Sequence, residues 1–211
     1  MRSALNVLSN PSKMPCRSTS LPAYACKTGS KLRKIPGSVC ADCYACKGCY
    51  RFPSTVKAMD RRLSEIYRAG WVDTMVTAIQ RERTLKSTDG RYFRWHDSGD
   101  LQSVAHLRRI VEVCERTPTV NHWIPTREHT IVREYLRTVG PFPSNLVVRL
   151  SVPMVDGPIP RPNGVLWSGV HSTRKPAVGA KACRAYTRDG HCGRCRACWN
   201  PTVPFVSYPL H

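Results

Sequence analysis

No run of apolar residues in this sequence is long enough to cross a bilayer, which excludes a helical membrane anchor as its organising feature. Acids are also scarce, with 14 Asp and Glu against 33 Lys and Arg and a formal net charge of +19. Internal repeats and low-complexity tracts are missing, which excludes a solenoid or a disordered tail as the main architecture. The opening residues, Met1 to Leu8, are too few and too interrupted by polar side chains for a secretory signal. The sequence therefore predicts a soluble protein of a reducing cytoplasm, with no membrane partner.

What is present is a chain of 211 residues, 41% of them hydrophobic, enough to build a real core. It carries 11 cysteines, an odd number that complete pairing does not fit. In a reducing compartment, clustered cysteines bind metal or do redox chemistry. The charge and the cysteines share a location. Residues 1–53 carry nine basic residues and one acid, and residues 141–211 carry nine and two. These two ends hold 15 of the 19 excess charges and ten of the 11 cysteines. So large an excess on a small chain predicts a polyanionic partner, nucleic acid before any other.

The chain reads as one domain, 1–211, in three parts. Residues 1–53 and 172–211 look irregular and cysteine-rich, and metal is expected to order them. Residues 54–171 show periodic patterning. Val56, Met59, Leu63 and Ile66 mark an amphipathic helix over 54–69, and a second begins at Trp71 after Gly70. A strand is expected over Arg91–Trp95, then a helix over 101–115 capped by Asp100. Strand Val120–Ile124, helix 129–139, strand Leu146–Val152 and strand Val165–Val170 follow. This alternation predicts an α/β fold: a small, mostly parallel, partial barrel-like sheet flanked by helices.

Each expected strand runs into polar residues: His96-Asp97-Ser98-Gly99-Asp100, Pro125-Thr126-Arg127-Glu128, Ser151, and His171 to Arg174. Functional groups gather at the carboxyl ends of parallel strands. His96, Asp97, Asp100, Arg127 and Glu128 are therefore candidate catalytic residues, should the protein be an enzyme. His96 reads more simply as a structural histidine, since no second ligand stands at metal spacing beside it.

The cysteines form two constellations. The first is Cys40-x2-Cys43-x2-Cys46-x2-Cys49, preceded by Cys16 and Cys26; the second is Cys183 followed by Cys192-x2-Cys195-x2-Cys198. A C-x2-C-x2-C run brings successive thiolates onto one compact iron-sulfur cluster, with a more distant cysteine as the fourth ligand. Zinc held by two C-x2-C pairs is the alternative. Cys114 falls on the apolar face of a helix and reads as a core residue.

Several segments together resemble a phage family known as gene product 88. They are Met14-Pro15-Cys16, Leu21 to Gly29, Val39 to Ala45, Phe93 to Gln102, Pro125 to Glu128 and Gly193 to Trp199. The resemblance covers most of the chain and implies a cysteine-rich phage protein of the host cytoplasm. It further implies two ligand sets of four, Cys16, Cys26, Cys40 and Cys43 at one end and Cys183, Cys192, Cys195 and Cys198 at the other. Cys46 and Cys49 stand outside those sets as additions. Three functions follow as expectations. One is a basic protein with two four-iron, four-sulfur clusters that binds nucleic acid. The second is a metal-dependent or redox enzyme with its pocket at the strand ends, and the third a zinc-stabilised binder of a host protein.

Overall fold

A computed structural model describes residues 7–84, 88–160, 164–173, 176 and 178–210. Met1–Asn6 and Arg174, which entered the reading above, lie outside the described residues. The architecture is α/β, a six-strand parallel half-barrel with helices packed on one face. Short α1 (Lys27–Leu32) lies in the N-terminal cysteine-rich segment, followed by α2 (Pro53–Glu65) and α3 (Trp71–Thr84). Then come β1 (Tyr92–Arg94), α4 (Val104–Glu115), β2 (Asn121–Thr126), α5 (His129–Thr138), β3 (Leu146–Val155) and β4 (Leu166–His171). β5 (Lys181–Ala182) and β6 (Phe205–Pro209) complete the sheet, whose order is β1-β2-β3-β4-β6-β5.

The strands alternate cleanly between two faces, as a period of two demands. Phe93 and Trp95, Ile124, then Leu146, Val148 and Leu150 face the helices. They meet Trp71, Met75 and Ile79 of α3, Leu107, Ile110 and Cys114 of α4, and Val132 and Tyr135 of α5. Cys114 is fully buried there, as its place on the helix predicts. The opposite face shows Trp123, Val147 and Leu166, and here the cover is not a helix. Cys16, Cys198 and Trp199 pack on it, from the two ends of the chain.

Those ends are less irregular than the sequence suggests. Residues 17–21 run beside β1, with Arg94 N–H donating to the Arg17 carbonyl and Thr19 N–H to the Arg94 carbonyl. Val39 N–H donates to the Pro153 carbonyl, tying the segment to the end of β3. At the other end β6 pairs with β4 from Trp167 to His171, and β5 pairs with β6. Pro204 and Pro209 hide β6 in the sequence, because proline usually argues against an interior strand. The chain satisfies both by placing them at the strand's margins. α1 is hidden by its length of six residues and by Gly29 within it.

Two helix boundaries need correction. The first long helix stops at Glu65 rather than 69. The helix expected at 101 begins at Val104, and its cap is Ser103, whose hydroxyl accepts from His106 N–H at 3.0 Å. Asp100 does not cap it because its carboxylate is taken by Leu101 N–H (2.7 Å), Thr126 Oγ1 (2.5 Å) and Arg127 N–H (2.9 Å). Among the described residues, no helix is long and apolar enough to cross a membrane.

Three buried histidines sit on the helix side. His96 and His106 lie with ring centroids 5.3 Å apart, and His122 stacks on Trp95 at 6.1 Å. Burial holds all three neutral. It pulls His96 down to about 3, helped by the nearby Arg94 charge, and His122 down to about 3 by itself. His106 is lowered by burial, His96 and Arg109. In the unfolded chain each titrates near 6.5. Below that pH the unfolded state therefore binds protons that the folded state refuses, so stability falls as pH drops from about 6.5 toward 3. Each histidine adds a slope of at most about 1.4 kcal/mol per pH unit. Urea unfolding between pH 7 and 5 is expected to show His122→Gln with a slope shallower by roughly one histidine's share; an unchanged slope would contradict the assignment.

Candidate metal centres

The expected strand-end residues do come together, but chiefly as supports for the N-terminal cysteines. The Glu128 carboxylate accepts from Thr28 N–H (2.7 Å) and Thr28 Oγ1 (2.8 Å), which pins the first turn of α1 just after Cys26. Glu128 N–H donates to Thr126 Oγ1 at 3.0 Å, and that same hydroxyl donates to Asp100. Burial pushes Asp100 up to about 6 against the pull of its three donors and Arg127. Asp97 accepts from Ser9 Oγ at 3.2 Å and Tyr50 Oη at 3.4 Å, while its carbonyl accepts from Tyr44 Oη. His96 is not part of this group. It adopts a left-handed backbone with φ 58° and turns toward the helices, its Nδ1 buried without a partner.

Above these supports lies the first set of thiols: Cys26, Cys40, Cys43 and Cys46. Gly29 packs against this group: a Cβ there would crowd Cys26 Cβ at 3.0 Å and touch Cys40 Sγ at 3.6 Å. Burial pushes the Cys26 thiol up to about 12, reinforced by Asp100, Cys43 and Cys40 and opposed by Arg127. Cys40 is raised by burial against the opposing charge of Arg127, with Cys43 beside it. Cys46 is raised by burial and by its neighbour Cys43, to which it is hydrogen-bonded. Cys49 is exposed on the following turn, Gly48–Arg51. Arg33 and Arg127 flank the group, each with a buried Nε that has no hydrogen-bond partner.

The second set is Cys183, Cys192, Cys195 and Cys198, and all four line one pocket together with Lys181, Arg184 and Arg188. Cys183 follows β5, its N–H bonded to the Ser207 carbonyl at 2.8 Å. Cys195 N–H donates to the Cys192 carbonyl at 3.2 Å, closing the C-x2-C turn. The Cys198 thiol is pushed up to about 12 by burial, with the Tyr208 hydroxyl 3.2 Å from its sulfur.

Cys16 belongs spatially to this second set. Its thiol is raised to about 12 by burial, and its charged neighbours are Arg94, Cys192, Arg196 and Asp89. The chain thus brings a cysteine from residue 16 across the sheet to the C-terminal thiols. The N-terminal set is left to Cys26, Cys40, Cys43 and Cys46. Among the described residues, no group of three or more His, Cys, Asp or Glu side chains is set to hold a single metal ion.

Two guanidiniums complete the arrangement. Arg149, in the middle of β3, is fully buried. It donates to five carbonyls: Val203 and Asn200 at 2.8 Å, Ala197 and Cys198 at 3.0 Å, and Trp167 at 3.4 Å. Four of those five belong to the segment that carries Cys198. Arg94, at the end of β1, stands beside the second set. It is near Cys16 and Cys192 on one side and Tyr44, Tyr50 and Asp97 on the other, and stacks on Trp123 at 4.9 Å. Neither guanidinium forms an ion pair with a carboxylate among the described residues. The sequence carried a signal for Arg149, a lone charge in the apolar run Leu146–Val152. Arg94, Tyr208 and Gly29 had none that spacing reveals.

The donors therefore suit a thiolate-held metal group. Four thiols line one pocket, and cations stand near both sets. Four thiolates around a 2+ iron-sulfur core carry a net charge of about −2. Such a charge would stand close to Arg149 at Cys198 and to Arg94 at Cys192.

A family model described as gene product 88 matches residues 2–201. No curated protein and no solved structure matches the chain. Arg149→Met keeps side-chain bulk but strands five carbonyls, and is expected to cost about 3 kcal/mol or more in denaturant unfolding. A loss under about 1 kcal/mol would mean that the clamp carries no weight.

Proposed function

This chain belongs to the phage gene product 88 family, and we propose that it is a basic, nucleic-acid-binding protein built around two four-iron, four-sulfur clusters. The lining of a single pocket by Cys183, Cys192, Cys195 and Cys198 carries this reading. Cys26, Cys40, Cys43 and Cys46 would hold the first cluster, and the four C-terminal cysteines the second, with Cys16 beside it. Burial favours the neutral thiol at Cys26, Cys40, Cys183, Cys192 and Cys198 until a metal cation displaces the proton, while Cys195 is exposed at the mouth of its set. The clusters would supply fixed negative charge inside the molecule and electron-transfer capacity. The charge is supported by Arg94, Arg127, Arg149 and Arg33, which approach the thiols from the sheet and from the end of α1.

With two such clusters, each contributing about −2, the protein would keep a net charge of roughly +15. That excess favours a polyanion in the host cytoplasm, and nucleic acid is the one its size and charge suit best. Zinc in the same thiols would leave the scaffold role and remove the redox one. The enzyme reading is weaker, because Asp100 and Glu128 are occupied as acceptors within the scaffold.

Serine variants in pairs test the grouping. Cys43→Ser with Cys46→Ser is expected to remove about half of the bound metal, and Cys192→Ser with Cys195→Ser the other half. Cys46→Ser alone should lower metal content at the first set, while Cys16→Ser leaves that set loaded. Metal retained in full by the Cys43/Cys46 pair variant would overturn the assignment. Retention of the protein on immobilised nucleic acid at low salt, lost steeply as salt rises, tests the partner. No retention at low salt would refute that part.

A further inference from the structure

Exposed aromatic side chains concentrate in one part of the molecule. Among the described residues, five large aromatics are exposed: Tyr24 at 64%, Phe52 at 59%, Tyr67 at 52%, Tyr44 at 51% and Tyr186 at 39%. Four of the five fall between residues 24 and 67. Rings placed in water forgo the burial that usually justifies an aromatic residue, so a local concentration of them marks a binding surface.

Their tethers bind this region together. Tyr24 Oη donates to Asp60 Oδ1 of α2 at 2.7 Å, and Tyr67 Oη lies 2.7 Å from Ser103 Oγ. Lys27 Nζ donates to the Gln102 carbonyl at 2.6 Å, and Gln102 Nε2 to the Ala25 carbonyl at 3.3 Å. Tyr24, α1, α2, Tyr67 and the start of α4 thus share one stretch of surface. Each tyrosine is held by its hydroxyl edge while its ring stays open to solvent, which removes part of the ordering cost of a stacked partner.

Charge on this stretch has one dominant sign. Residues 24–68 carry ten lysines and arginines against three acids. Lys31, Lys34, Arg51, Lys57 and Arg68 are among the exposed ones. Basic residues interleaved with open aromatic rings match the chemistry of unpaired nucleotides, whose phosphates meet the cations while their bases stack on the rings. Bases within a duplex have both faces occupied by their neighbours and have nothing to offer Tyr24 or Phe52.

We propose that the surface formed by residues 24–68 binds single-stranded nucleic acid, with bases stacked on Tyr24, Phe52 and Tyr67 and the backbone running along the neighbouring lysines and arginines. This rests on the nucleic-acid part of the proposed function and names both the surface and the strand form. Trp199 and Tyr50, which follow Cys198 and Cys49, are not available for the role: Trp199 is buried, and Tyr50 is half-buried beside Asp97. Tyr44, which follows Cys43, is exposed but has its hydroxyl tied to the Asp97 carbonyl, away from the Tyr24 tethers.

The test is fluorescence anisotropy at low salt, with the full chain purified anaerobically. The probes are a labelled single-stranded oligothymidine of about 20 nucleotides and a labelled duplex of the same length. The single strand is expected to bind at least roughly tenfold more tightly than the duplex. Tyr24→Ala, Phe52→Ala and Tyr67→Ala should each weaken it by roughly tenfold, while Tyr24→Phe and Tyr67→Phe, which keep the ring and lose only its tether, should weaken it by no more than about threefold. Tyr186→Ala, outside the surface, should change nothing. Equal binding of both probes, unmoved by the alanine variants, would overturn this surface and leave nucleic-acid binding standing. Failure of both probes to bind would remove the underlying reading, and this proposal with it. Circular dichroism of each variant shows that a loss of binding is not a loss of fold.

Discussion

The buried guanidinium of Arg149 bonds to five main-chain carbonyls, and four of them lie in residues 197–203. This fixes the C-terminal cysteine segment against the sheet face that no helix covers. A parallel sheet with an uncovered face exposes apolar strands to water, so such sheets are normally covered on both sides. Here the helices cover one side and the two cysteine-rich ends cover the other, with Trp123, Val147 and Trp199 in the seam. The guanidinium satisfies carbonyls that a loop at such a place would otherwise leave unbonded. It also puts a positive charge next to Cys198, where a neutral clamp would only hold the chain.

The same division explains how much could be read from the sequence. Helices α2 to α5 and strands β1 to β4 were legible, because each has one buried face and the apolar spacing states its period. The polar strand ends were legible as a group, and Asp100, Arg127 and Glu128 do gather around Thr126, while Asp97 turns to Ser9 and Tyr50. Their part in the structure was not legible: two of the carboxylates serve as acceptors that hold Thr28 and Arg127 in place. Strands β5 and β6 were hidden by their length and by flanking prolines. The resemblance groups Cys16 with Cys26, Cys40 and Cys43, whereas the sheet carries it beside Cys192. Periodicity reports which face a residue occupies, and it is silent on which distant segment will cover that face.

Arg94 sits where these features meet. It ends β1, lies over Trp123, and has Cys16 and Cys192 on one side and Tyr44 and Tyr50 on the other. A positive charge beside Cys16 and Cys192 favours the thiolate form of both.

The central claim is that the two thiol sets hold iron-sulfur clusters. It is tested most directly by measuring iron, acid-labile sulfide and zinc per chain in protein purified without oxygen. About eight iron and eight sulfide per chain, with a broad absorption shoulder near roughly 400 nm, is the expected result. Zinc without iron or sulfide would contradict it and leave the cysteines as a structural scaffold.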